Sequence, residues 1–109
     1  MSDSVPSLTH LQFLVLGTLV SAEQPGREIR RIIARYGVRR TTAAFYQMMA
    51  RLERSGWVEG WYEQITVGDQ AVTERRYRIT PAGARVWKGA RAFYQAVGAA
   101  AVRKRWSSA

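Results

Sequence analysis

Arginine carries most of the chemistry this sequence can do. Fifteen of its 17 basic residues are Arg, against 8 acidic ones, and they recur at short intervals: Arg27, Arg30, Arg31, Arg35, Arg39 and Arg40, then Arg75 and Arg76. A planar, forked guanidinium suits phosphate oxygens and base edges better than a lysine ammonium does. The resulting charge of +9 at pH 7 points to a polyanionic partner, with nucleic acid ahead of an acidic membrane surface.

Other chemistries lack their parts. There is no Cys, hence no thiolate metal site and no thiol nucleophile, and His10 is the single imidazole. No paired carboxylates fall at a plausible site, and no glycine loop suited to cradling a phosphate is present. The reading is a protein that is not an enzyme and needs no cofactor or metal. Apolar runs such as Phe13–Leu16 are far too short to span a membrane, and no charged leader precedes them. A cytoplasmic protein associated with the nucleoid through DNA is expected.

The charge is sequestered. Residues 1–26 carry −2, 27–54 carry +6, 55–74 carry four acids and no base, and 75–109 carry nine bases and no acid. Hydropathy patterning supplies the elements under these blocks, and 109 residues suit one domain with an appendage. A first helix is expected after Ser7 as N-cap, running to about Ala22. Leu8, Leu11, Val15 and Leu19 form its stripe, and Phe13, Leu14, Leu16 and Val20 widen it. So apolar a helix needs cover from its own domain and from another subunit.

Pro25 stands where an N1 proline belongs, and Ile29, Ile32, Ile33 and Tyr36 continue a second helix until Gly37. Thr41 or Thr42 then caps a third, with Phe45, Met48, Met49 and Leu52 inward and Gly56 ending it. Two short helices joined by a tight glycine-bearing turn make a helix-turn-helix. A β-hairpin follows, roughly Trp57–Thr66 and Thr73–Thr80 around Gly68-Asp69. Thr80-Pro81 opens a last helix reaching about Arg105, too long for one small domain to cover. The fold class is therefore mostly α with a β-hairpin wing: a winged helix-turn-helix over residues 7–80 and a C-terminal dimerisation helix over 81–106.

Placed on these elements, Thr41, Thr42 and Gln47 fall near bases, and Tyr46, Arg39 and Arg40 toward phosphates. The alternative for Tyr46 is a half-buried aromatic on the shoulder of Phe45. Arg75 and Arg76 enter the second wing strand, where they either straddle a minor-groove phosphate ridge or are neutralised by Glu59 and Glu63 across the hairpin. Val86, Ala90, Phe93 and Val97 recur like a short coiled-coil seam, and with Phe13 they are the expected dimer interface. Trp87 and Tyr94, with Trp106, could line a cavity for a flat aromatic effector between subunits. The run Arg103-Lys104-Arg105 reads as a solvated helix end suited to the C-terminal dipole.

At these residues the chain resembles the PadR-like transcriptional regulators over about residues 8 to 95. Leu16-Gly17-Thr18-Leu19 with Gly26-Arg27-Glu28-Ile29 is similar to the family's Leu-Gly-x-Leu and Gly-x-Glu-Ile opening. Tyr46, Arg51-Leu52-Glu53 and Gly56-Trp57-Val58-Glu59 stand where the family has Tyr, Arg-Leu-Glu and Gly-Leu-Ile-Glu, and Tyr77-Arg78-Ile79-Thr80 with Gly83 is similar to its Tyr-Arg-Leu-Thr-x-x-Gly. The resemblance implies a homodimeric winged-helix repressor that binds double-stranded operator DNA, with an effector site for phenolic or drug-like compounds in some members. Thr41-Thr42-Ala43-Ala44-Phe45-Tyr46-Gln47 replaces the family's Ser-Pro-Gly-Thr-Leu-Tyr-Pro, so an operator sequence does not transfer. Two other functions fit the same elements: a non-specific architectural DNA binder, and a protein-interaction module on a winged-helix scaffold.

Overall fold

A computed structural model describes residues 8–107, with side chains to residue 101. Ser7, the side chains of Arg103, Lys104 and Arg105, and that of Trp106 lie outside the described residues. In chain order the elements are α1 (His10–Thr18), β1 (Gln24–Pro25), α2 (Gly26–Ala34), α3 (Thr42–Arg54), β2 (Val58–Val67), β3 (Gln70–Ile79) and α4 (Pro81–Ser107). This is a winged helix-turn-helix with a long C-terminal helix.

Capping residues explain most of the boundaries. Thr9 and Gln12 exchange side-chain to backbone hydrogen bonds, both at 3.0 Å, in a capping box that starts α1. The helix stops at Thr18, whose hydroxyl donates back to the Val15 carbonyl at 2.7 Å. Extension to Ala22 fails because the chain must turn there and deliver Gln24–Pro25 to the sheet.

That short strand is absent from the sequence expectation. Gln24 and Pro25 pair antiparallel with Tyr77 and Arg76, giving a sheet of order β1-β3-β2. Pro25 accordingly occupies the N-cap of α2 rather than its first turn, and at a sheet edge its missing N–H costs little.

Gly37 and Gly56 end their helices in the same way. Val38 N–H donates to the Ile33 carbonyl and Gly37 N–H to that of Ala34; Trp57 and Gly56 repeat the pattern onto Leu52 and Glu53. Both glycines hold positive φ, 84° and 78°, as a Schellman closure requires. Gly68, at φ 64°, starts the two-residue turn that fixes the wing register, with Val67 opposite Gln70.

The core is one cluster fed by every long element. Val15, Leu16 and Leu19 meet Ile29 and Ile33 of α2, Phe45, Met49 and Leu52 of α3, Val58 and Tyr77 of the sheet, and Ala90 of α4. Thr80 ties the wing base to α4: its hydroxyl donates to the Gly56 carbonyl at 2.6 Å and accepts from Gly83 N–H at 2.9 Å. Gly83 lets the helix approach, since a Cβ there would stand 2.1 Å from the Trp57 carbonyl oxygen. Beyond Tyr94 the described side chains of α4 are all exposed, and the molecule reaches 64 Å in its longest dimension.

Candidate nucleic-acid interface

The third helix presents its polar residues outward because its apolar ones are claimed by the core. Phe45, Met48, Met49 and Leu52 are buried, which leaves Thr42, Ala43, Gln47, Arg51 and Arg54 exposed. Thr41 is the N-cap, its hydroxyl accepting from Ala44 N–H at 3.1 Å. That bond fixes the first turn and limits what Thr41 can offer a base.

Arg30 holds this start in place, a role its position on an exposed helix face does not advertise. Its Nη1 donates to the Thr42 hydroxyl at 3.1 Å and its Nη2 to the Arg40 carbonyl at 3.2 Å, while the guanidinium lies 5.8 Å from the Phe45 ring centroid. Arg39 and Arg40 lie exposed beside it, and no ion pair among the described residues engages either. With Arg27, Arg30 and Arg31 they rim a cleft of about 310 Å³ floored by Ile33, Val38 and Phe45. Arg31 is held by Glu28, whose carboxyl that bond draws below the usual value. Arg30, Arg39 and Arg40, which no ion pair among the described residues engages, leave net positive potential at this cleft where a phosphate can approach.

Tyr46 packs as an aromatic shoulder. Its ring meets Phe45 edge-on at 5.0 Å, and its hydroxyl would stand 2.7 Å from a Cβ on Gly26, so the glycine makes room for it at the start of α2. Packing of the third helix against the second is what this contact serves in the free protein.

The wing arginines are occupied by acids other than those the sequence suggests. Arg75 Nη2 donates to Glu53 Oε1 of α3 at 2.8 Å. Arg76 Nη1 donates to Glu74 Oε2 at 2.7 Å, and its Nε lies 3.4 Å from Glu23. Glu59 pairs instead with Arg78, and Glu63 accepts from the Trp61 indole at 3.2 Å. The register explains the change: Arg75 faces Tyr62 and Arg76 faces Trp61 across the hairpin, so Glu63 lies opposite Glu74. Glu74 also takes Arg27 at 2.9 Å, and its carboxyl is pushed up by burial but drawn down further by hydrogen bonds from Arg76 and Arg27, ending below the usual value. Arg75 and Arg76 expose only 23% and 19% of their side chains.

On the opposite side, Phe13 stacks on Trp87 with centroids 5.6 Å apart and meets Tyr94 edge-on at 5.3 Å. Tyr94 also lies against Phe93, and its hydroxyl is 3.4 Å from His10 Nδ1. The Trp87 indole covers Gly17, with its buried Nε1 lacking a hydrogen-bond partner among the described residues. Of the expected dimer residues, Ala90 is 2% exposed in the single chain and Val86 is partly buried against the same core. Phe93 and Val97 remain 41% and 50% exposed.

No protein-family model and no curated protein matches the sequence. Solved structures do. A transcriptional regulator from Clostridium thermocellum is 22% identical with a TM-score of 0.67, over 86% of this chain and 88% of that one. A PadR family transcriptional regulator from Eggerthella lenta is 25% identical with a TM-score of 0.63, over 85% and 79%. Bacillus subtilis PadR in complex with operator DNA is 17% identical with a TM-score of 0.59, over 73% of this chain and 45% of that one. The fold is thus the one found in PadR-family transcriptional regulators.

Proposed function

We propose that this protein is a sequence-specific, DNA-binding transcriptional regulator of the PadR type, working as a homodimeric repressor. The observation that carries the reading is the start of α3: Thr42 and Gln47 are both exposed, Arg30 pins Thr42, and Arg39 and Arg40 flank them without ion-pair partners among the described residues. A recognition helix reads bases through such short polar groups while neighbouring cations neutralise phosphate. Gln47 matches the adenine edge bidentately, and Thr42 suits close approach. The similar fold of a regulator solved with operator DNA supports the same docking.

Thr41 and Tyr46 shape this surface more than they extend from it, one as cap and the other as packing group. Arg75 and Arg76 present little outward charge. The hairpin from Glu59 to Glu74 contains no basic residue, so the wing adds little phosphate affinity of its own.

The exposed apolar pair Phe93 and Val97, on the part of α4 that leaves its own domain, supports the dimeric reading. Two recognition helices about 34 Å apart would then read an inverted repeat. Phe13, Trp87 and Tyr94 form an aromatic cluster beside that interface, whose ring faces suit a small flat aromatic effector. The test is selection of DNA from a random pool, followed by titration of the selected sequence against scrambled DNA at physiological salt. Equal affinity for both would replace this reading with that of an architectural binder driven by its +9 charge.

A further inference from the structure

We infer that Arg75 and Glu53 form a clasp that sets the angle of the wing against the recognition helix, so that Arg75 acts in DNA binding by positioning and not by touching phosphate. The inference rests on the DNA-binding reading above. Glu53 stands on α3 in the turn beyond Ala50, and Arg75 stands on β3, 22 residues later, with Nη2 and Oε1 2.8 Å apart. This is the one ion pair among the described residues that joins the third helix directly to the hairpin.

The surroundings are built for it. The Arg75 guanidinium lies 4.6 Å from the Tyr62 ring centroid and 5.6 Å from that of Tyr77, so two phenol rings flank it. Tyr62 is its cross-strand neighbour and Tyr77 its neighbour on the same strand face. Gly60 faces the group from β2: a Cβ there would stand 2.8 Å from Arg75 Nη2, 2.9 Å from Tyr77 and 3.0 Å from Glu53 Oε1. Position 60 leaves space only for the clasp.

Ordinary surface ion pairs contribute little because water and salt screen them. Here the Arg75 and Glu53 side chains are only 23% and 27% exposed, and the cation also lies against the faces of Tyr62 and Tyr77, which adds a cation–π contribution to the ion pair. Loss of either partner frees the hairpin to swing about its base at Trp57 and Thr80. A displaced wing costs affinity even though it carries no base of its own between residues 59 and 74, because it obstructs the path of the duplex beside α3.

Sign separates this account from a direct contact. Glu53→Gln removes a negative charge from a DNA-binding protein, which by counterion release alone should tighten binding. The clasp requires the opposite. With DNA selected from a random pool by the wild-type protein, Glu53→Gln is expected to bind about fivefold more weakly, with the salt slope unchanged. Arg75→Gln should weaken binding to a similar extent, and the double variant should be no weaker than Arg75→Gln, as expected of two groups that act through each other. In the free protein, amide exchange at the base of the hairpin should quicken in Glu53→Gln while that of α2 stays as in the wild type. Binding as tight as wild type in Glu53→Gln, with a salt slope lowered by about one in Arg75→Gln, would overturn the clasp and make Arg75 a phosphate ligand. If the wild-type protein selects no DNA, the functional reading fails instead, and unchanged hairpin exchange in Glu53→Gln then refutes the clasp by itself.

Discussion

Arg30 of α2 donates to the hydroxyl of Thr42 in the first turn of α3 at 3.1 Å, bridging the helix-turn-helix 12 residues apart in sequence. The same guanidinium donates to the Arg40 carbonyl, so one side chain fixes the start of α3 and the turn that leads into it. Replacement by Met keeps the apolar stem and removes both bonds. Arg30→Met is expected to lower stability by about 1 kcal/mol, since exposed hydrogen bonds contribute modestly, and to weaken DNA binding by more than one lost phosphate contact explains. Thermal melting and a DNA titration on the same preparation check both.

Base reading and phosphate holding separate by mutation. Gln47→Ala should relax base preference at one operator position, worth about 1–3 kcal/mol, and leave the salt slope as it was. Arg39→Ala and Arg40→Ala should weaken binding to all sequences alike and each lower the slope of log K against log salt by about 0.9. Titrations at several salt concentrations distinguish the two kinds of residue.

Two glycines on one helix should respond in opposite directions. Gly83→Ala puts a Cβ 2.1 Å from the Trp57 carbonyl oxygen, backbone that cannot move without shifting the wing base. A loss of about 1–3 kcal/mol is expected. At Gly98 nothing lies within 4 Å, and Gly98→Ala should gain up to about 1 kcal/mol from helix propensity. Denaturant midpoints of both variants check the placement of α4.

Much of this architecture is legible in the sequence because it is local. Gly37 and Gly56 as stops, Thr41 or Thr42 as cap, Thr80-Pro81 as a helix start and Gly68-Asp69 as a hairpin turn each declare themselves within a few residues, and the structure places the cap at Thr41. Strand β1 does not, because two residues carry no period and Gln24 and Pro25 become strand only on meeting Tyr77 and Arg76. The Thr9-His10-Leu11-Gln12 spacing is a capping-box pattern, and Ser7 two residues earlier offers a competing cap in the sequence. The acids that take Arg75 and Arg76 were hidden for a different reason. Their choice depends on wing register and on where α3 lies, and Glu53 is 22 residues from Arg75.

Stability should fall at both ends of the pH scale, through two residues of β3. Burial pushes the Tyr77 phenol up to about 12 from its ordinary 10.0, so the fold favours the neutral form. Its contribution is complete below pH 10 and is lost as pH rises from about 10 toward 12. Burial raises the Glu74 carboxyl, but hydrogen bonds from Arg76 and Arg27 draw it below its ordinary 4.5, so its contribution is present above that value and lost as pH falls through the lowered one. Urea midpoints measured across pH should show both limbs, with Tyr77→Phe flattening the alkaline one and Glu74→Gln the acid one.

Phe93 and Val97 leave α4 with an apolar face that its own domain does not cover. Phe93→Glu with Val97→Glu should give monomers in sedimentation while the melting of the winged domain is retained. Operator affinity should fall, because two half-sites are then bound independently.

Specific recognition of DNA by α3 is tested most directly by the ratio of affinities for a selected sequence and for scrambled DNA at physiological salt. A ratio of about 10³ or more, reduced by Gln47→Ala, is expected of a specific regulator. A ratio near one, with both affinities falling together as salt rises, would contradict it.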